Sequence, residues 1–307
     1  VKSYRDFKHK YEPSNICEMP IKWKEAKNFY VFDDGGNRWI DMTSGIFVTN
    51  AGHANPYIND AMKQQIDSNL VFAYQYNTDI RNKFIEKLLE ISPSHFNKVT
   101  LLNSGSEATD AAYRLIKLWG KKNKRKYIVV FTGNYHGRVL GSELIGGTSK
   151  STDWSNIKDS EIWFLPFPKK GDKLKLKDLP PLNKIASFFL ETYQGWGAWM
   201  YPKEYIDEIY KICQENKILF CFDEVQSGFY RMGELYGYMT YGDYKPDIVT
   251  LGKGLTSSLP LSAVLSTKEI IDVDSSANLS STHAGNAVCC AAGLANLEYL
   301  TDDLFQT

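Results

Sequence analysis

Phe220-Cys221-Phe222-Asp223-Glu224-Val225-Gln226 is an apolar run that ends in an acid. A strand buried on both faces reads this way, and it delivers its terminal carboxylate to the edge of a sheet. Further on, Leu251-Gly252-Lys253-Gly254 sets one lysine between two glycines. Such a backbone leaves room for a bulky group on the amine. An aspartate and a lysine placed like this suit pyridoxal 5'-phosphate (PLP). The lysine forms an imine with the cofactor, and the aspartate keeps the pyridine nitrogen protonated. Each piece also has a plainer reading, a strand-end acid and a Gly-rich turn, and neither decides the matter alone.

The 307 residues carry 36 basic and 36 acidic side chains. That balance gives no reason to expect nucleic acid or a membrane surface as a partner. The length is ample for a large α/β core. Five cysteines (Cys17, Cys213, Cys221, Cys289, Cys290) show no metal-type spacing, and two of them sit in apolar runs. A reducing cytoplasm without a disulfide framework is expected. No leader-like segment opens the sequence, and no apolar run is long enough to span a bilayer. The five histidines are scattered, so no metal site is expected.

Residues 1–46 read as an irregular or short-stranded arm. Within it, Phe29–Phe32 and Arg38–Asp41 flank Asp33-Asp34-Gly35-Gly36-Asn37, a hairpin pattern. Helical spacing runs over Pro56–Asn69 and Asp79–Ile91. An alternation follows: strand Val99–Leu102, helix Glu107–Gly120, strand Tyr127–Phe131, strand Ile185–Leu190, helix Lys203–Asn216, strand Ile218–Phe222, and strands Asp247–Leu251 and Leu261–Ser266. Ala284–Leu300 reads as an Ala-rich helix. Ser149–Pro181, polar and rich in lysine and proline, is expected to wrap the surface. The pattern predicts an α/β fold: a three-layer α/β/α arrangement on a mostly parallel sheet, with a small N-terminal arm.

Four further segments sit at expected strand ends or helix starts. Asn103-Ser104-Gly105-Ser106-Glu107 turns from strand into helix, where free N–H groups suit a phosphate; a plain N-cap uses the same residues. Tyr135 in Asn134-Tyr135-His136-Gly137-Arg138 is placed to lie on a planar ring, and Arg138 to grip a carboxylate; an ordinary loop reads the same. Glu191 is expected to hydrogen-bond Gln226 in a polar network, or else to face solvent. Thr282 precedes the Ala-rich helix and serves either a phosphate or another N-cap. Their joint order carries more than any one of them, because ligands gather outside the carboxyl ends of strands in such sheets.

With these residues assembled, the chain resembles the class III aminotransferases of PLP fold type I, from about Phe29 to its end. Asn103–Ala108, Tyr135-His136-Gly137, Asp223-Glu224-Val225-Gln226, Lys253 and Thr282 follow that family's order and spacing. The resemblance implies transfer of an amino group from an amine or amino acid to a 2-oxo acid. It implies that Lys253 binds PLP as a Schiff base and shuttles a proton, and that Asp223 pairs with the pyridine nitrogen. Tyr135 and Val225 flank the ring, and His136 belongs to the same cofactor-contacting set. Gln226 lies near the 3-hydroxyl, supported by Glu191. Gly105 and Ser106 hold the phosphate. Thr282 reaches the phosphate of a partner subunit in a homodimer. Ile46 and Phe47 line the substrate entrance, and Arg138 binds a carboxylate.

Trp196 stands where 4-aminobutyrate-type enzymes carry a gating glutamate, so a smaller or more apolar acceptor such as pyruvate is expected. Thr256-Ser257-Ser258 replaces the glycines that usually follow the lysine. The family continues for about another hundred residues into a C-terminal small domain. The sequence is therefore expected to be a fragment: an arm, residues 1–46, and a PLP-binding major domain, residues 47–307. Two other readings stay open here. One is an epimerase, aminomutase or phospho-lyase of the same fold; the other is a non-catalytic PLP-fold subunit.

Overall fold

The computed structural model describes residues 21–74, 76–148 and 150–301. Cys17 and the first twenty residues of the expected arm lie outside these. The described part of the arm pairs β1 (Trp23–Lys27), β2 (Tyr30–Asp33) and β3 (Arg38–Ile40) in a small antiparallel sheet. Asp33 closes the hairpin by accepting from the Asn37 backbone and the Trp39 indole. One tight turn, α1 (Ser44–Phe47), follows.

Seven strands form the main sheet in the order β4-β12-β11-β10-β7-β5-β6. They are β4 (Lys98–Leu102), β5 (Tyr127–Phe131), β6 (Ile162–Leu165), β7 (Ile185–Glu191), β10 (Leu219–Asp223), β11 (Ile248–Leu251) and β12 (Ser262–Ser266). β5, β6, β7, β10 and β11 pair in parallel, and β12 runs antiparallel to both of its neighbours. A two-stranded ribbon, β8 (Tyr193–Gln194) with β9 (Trp199–Met200), sits just past β7. The mostly parallel sheet expected from the sequence is thus present.

Every residue of β7 and of β10 is buried, so alternate side chains feed two separate cores. Phe188, Leu190, Phe220 and Phe222 point to one face and Phe189 and Cys221 to the other. The first face meets α3 (Asp79–Ile91), α6 (Lys203–Asn216) and α8 (Ala287–Thr301) through Phe84, Leu88, Ile206, Ile209 and Leu297. The second meets α4 (Gly105–Lys122) through Ala111, Ala112, Leu115 and Ile116. Helices on both faces make three layers. The remaining helices are α2 (Pro56–Asp67), which packs on α8, and the short α5 (Leu140–Leu144) and α7 (Lys268–Ile271).

Local chemistry sets the helix ends. Asn55 caps α2 ahead of Pro56, Thr78 caps α3, and Ser104 with Glu107 forms a full capping box on α4. One expectation needs correction. The segment expected only to wrap the surface contributes β6, an edge strand on β5. Its Ile-Trp-Phe-Leu core is only half-buried, and the flanking polar turns hid it.

Candidate active site

Five loops leave the carboxyl ends of β4, β5, β7, β10 and β11 and meet around one cavity of about 460 Å³. Gly105, Ser106, Tyr135, His136, Arg138, Glu191, Trp196, Asp223, Val225, Gln226 and Lys253 all line it, with Ile46 and Phe47 at the arm side. Of the residues singled out in the sequence, Thr282 alone stands apart; it is exposed and does not line this cavity.

Asp223 is the last residue of β10 and is buried. Its Oδ1 accepts from the Val225 N–H and from the Thr250 hydroxyl, each at 3.0 Å. Its Oδ2 lies 2.7 Å from His136 Nδ1. The Asn134 amide donates to His136 Nε2 at 2.8 Å, which leaves the Nδ1 proton to point at Asp223. Three donors thus fix the carboxylate's orientation.

Glu191 ends β7 directly beside Asp223 in the parallel register. It accepts from the backbone N–H groups of Tyr135 at 2.9 Å and Gly195 at 3.2 Å. Burial pushes its carboxyl up to about 7, with the Asp223 charge acting the same way and His136 opposing. The expected Glu191–Gln226 hydrogen bond is absent. The loop after β5 folds over β7 and brings its own N–H to Glu191, and the buried Gln226 Oε1 has no partner.

Lys253 opens a short 3₁₀ turn after β11 at a φ of 42°. Burial lowers its amine below the ordinary lysine range, opposed by Asp223 and Glu191. The flanking glycines do not serve as first expected. A Cβ on Gly254 would overlap the Asn50 side chain, and one on Gly252 would press on Val225. These glycines admit neighbouring protein rather than a group on the lysine.

At the start of α4, Ser104 satisfies the cap, while the N–H groups of Gly105 and Ser106 have no acceptor among the described residues. The helix dipole adds partial positive charge at that point. The next wall closes tightly. Gly137 sits at a φ of 121°, its missing Cβ would fall inside the Ser106 hydroxyl, and that hydroxyl accepts from the Arg138 N–H at 3.2 Å. Tyr135 presents its ring to the Trp196 edge at 5.8 Å and to the Arg138 guanidinium at 5.7 Å.

Sequence reading missed several supporting residues. Thr250 is a polar residue inside an apolar strand, a signal that was available because a buried hydroxyl needs a partner. Buried Glu224 accepts from Thr192, Ser227 and the N–H groups of Gly237 and Tyr238, and burial lifts it to about 7. Nothing in the local pattern separated it from Asp223.

Residues 11–307 match the family model for class-III aminotransferases. The chain belongs to that family. An acetylornithine aminotransferase of Aquifex aeolicus is 31% identical over 294 residues, spanning 92% of this chain and 74% of that protein. An ornithine aminotransferase of Saccharomyces cerevisiae is 30% identical over 321 residues, spanning 97% and 73%. In fold, the chain matches the structure of taurine:2-oxoglutarate aminotransferase from Bifidobacterium kashiwanohense in complex with PLP and glutamate. The TM-score is 0.84 at 23% identity, over 97% of this chain and 71% of that one.

This class-III aminotransferase is a PLP-dependent transaminase. Its cavity suits the cofactor on observations of its own. Two N–H groups at a helix start have no acceptor among the described residues, a setting that suits a phosphate. A buried amide oxygen, Gln226 Oε1, awaits a donor. A lysine of lowered basicity and an oriented aspartate share the same walls. Among the described residues no helix is long and apolar enough to cross a membrane.

Proposed function

We propose that Lys253 is the residue that carries PLP and that Asp223 holds the pyridine nitrogen. The observation that carries this reading is that both line one cavity with the unpaired N–H groups of Gly105 and Ser106. When bound, PLP supplies an electron sink for the substrate carbon that loses a proton. Lys253, with its lowered basicity, takes that proton and returns it. Asp223, oriented by His136, Thr250 and the Val225 N–H, would hold the ring nitrogen. Tyr135 and Val225 bound the slot for the ring. Gln226, whose Oε1 has no partner among the described residues, would hold the 3-hydroxyl, and Glu191 supports the loop that carries Tyr135.

Arg138 and Lys253 are the two lysine or arginine side chains on the cavity wall, and Arg138 alone of them is a guanidinium that keeps its charge. Arg138 stacks near Tyr135 and forms no ion pair among the described residues, so its fork is available to a substrate carboxylate. Trp196 and Phe47 add apolar bulk beside it, which supports an acceptor of pyruvate size over a dicarboxylate. The active unit in this reading is a cytoplasmic homodimer in which Thr282 serves the partner's phosphate. Exposed Leu70, Val71, Phe72 and Tyr76 support a covered face of that kind. The division into an arm (1–46) and a cofactor-binding unit (47–307) belongs to the same proposal.

The test is to add PLP to the purified chain, record the visible band, and titrate amines and amino acids without a 2-oxo acid. Bleaching of the band by a donor, restored by pyruvate, is the expected result. A band that forms equally in Lys253→Ala would overturn the assignment of Lys253.

A further inference from the structure

Two basic side chains approach the Phe47 ring. The Lys253 amine lies 5.7 Å from its ring centroid, and the Arg231 guanidinium lies 5.6 Å from the same centroid. Arg231 does not line the cavity; Phe47 and Lys253 do. The arginine is half-buried, its Nε is buried without a partner, and it pairs with no carboxylate among the described residues. Taking an uncompensated guanidinium out of water is costly, so its remaining contacts are the ones that hold it there.

Those contacts run to the entrance turn and to Asn50 three residues beyond it. Arg231 donates to the Ser44 hydroxyl at 3.4 Å and to the Asn50 amide oxygen. The Asn50 amide nitrogen in turn donates to the Gly228 and Phe229 carbonyls at 3.2 and 2.8 Å. The same Asn50 side chain occupies the space that a Cβ on Gly254 would need. One Asn–Arg pair therefore ties together the entrance turn, the loop after β10 and the lysine turn.

The entrance turn needs such a tie. Ser44, Gly45, Ile46 and Phe47 all have positive φ, from 51° to 66°. A left-handed turn containing isoleucine and phenylalanine persists only where its surroundings over-determine it. Asp41 holds its start through the Thr43 and Gly45 N–H groups. Arg231 reaches both its first and its last residue, through the Ser44 hydroxyl and the Phe47 face.

We propose that Arg231 is a positioning residue that holds Phe47 against the lysine side of the cavity and so sets the size of substrate admitted to Lys253. The proposal rests on Lys253 carrying PLP. It acts through Phe47, so removing Phe47 removes any further effect of Arg231.

The experiment uses the PLP-loaded protein and two reagents that strip PLP from a lysine, hydroxylamine and its bulky O-benzyl derivative. Loss of the visible band gives each rate, and the bulky-to-small ratio reads the entrance without any turnover. In Arg231→Met the ratio is expected to rise about tenfold, since neither the fork nor the cation face is replaced. In Phe47→Ala it rises at least as far, and the double variant goes no further than Phe47→Ala. Arg231→Lys keeps the charge and strains the fold less, and about a threefold rise is expected there. A wild-type ratio in Arg231→Met or Arg231→Lys, or a full additional rise in the double variant, overturns the proposal. Absence of any visible band in the wild type would instead sink the assignment of Lys253, a distinct result.

Discussion

Thr250 donates its hydroxyl to Asp223 Oδ1 at 3.0 Å, and the parallel register of β10 with β11 sets these two residues opposite each other. The carboxylate proposed to face the cofactor nitrogen is thus held from a neighbouring strand, not only by its own loop. Thr250→Val keeps the shape and removes the donor. It is expected to cost about 1 kcal/mol of stability and to weaken PLP binding about fivefold, within the same energy range. Urea titration and PLP titration of the variant check the two figures.

Asp223 itself carries more. Asp223→Asn replaces a charge with a neutral amide that also presents donors toward His136 and Thr250. Half-reaction rates are expected to fall by at least about a hundredfold, on the scale of losing a charged electrostatic partner at a reacting group. Stopped-flow bleaching of the PLP band with a good donor measures this. A fall of less than tenfold would remove Asp223 from the proposed role.

Glu191 gives a pH signature. Its carboxyl titrates near 7 in the fold, against an ordinary value of 4.5. Between those values the folded chain binds the proton more tightly than the unfolded chain. Stability is therefore fully present below about 4.5 and is lost as pH rises toward 7. Glu224, raised to about 7, and Asp247, raised to about 6, act in the same direction. Glu191→Gln is expected to make the fall in stability shallower by about 1.4 kcal/mol per pH unit inside this window. Denaturant curves at pH 5, 6, 7 and 8 resolve it, and an unchanged slope means that Glu191 ionises freely.

Gly137 and Gly171 both have positive φ, at 121° and 91°, but only Gly137 is crowded. Gly137→Ala drives a methyl into the Ser106 hydroxyl and is expected to lose at least about 2 kcal/mol together with phosphate binding. Gly171→Ala meets open space and is expected to lose about 1 kcal/mol from backbone strain alone, with PLP affinity unchanged. Thermal melts with and without PLP separate the two effects.

The dimer reading has its own test. A mixture of Lys253→Ala and Thr282→Ala chains forms hybrids with one site that has both residues intact. If Thr282 serves the partner's site, unfolding and refolding the mixture together restores about a quarter of wild-type activity, the share expected for random two-fold pairing. No recovery above the sum of the separate variants would place Thr282 in its own subunit's chemistry or in none.

Much of this protein was legible in residue order. The runs Tyr127–Phe131, Ile185–Leu190 and Phe220–Phe222 are almost wholly apolar, with Ser187 as the break, which a doubly covered strand tolerates. Each forms a strand that is buried but for the half-buried Tyr127. Asp223 and Lys253 were readable because each follows such a run, and chain direction alone then sends both to one sheet edge. The family followed from the spacing of these motifs.

Tertiary structure decided what residue order could not. Thr250 meets Asp223, and Glu191 leaves Gln226 for the Tyr135 backbone, because strand register and loop packing choose partners that lie far apart along the chain. Asn50 meets Arg231 and the space beside Gly254 across some two hundred residues. Period and propensity report local preference. Which buried polar group finds which partner depends on long-range packing, and that packing exists only once the sheet has closed between its helices.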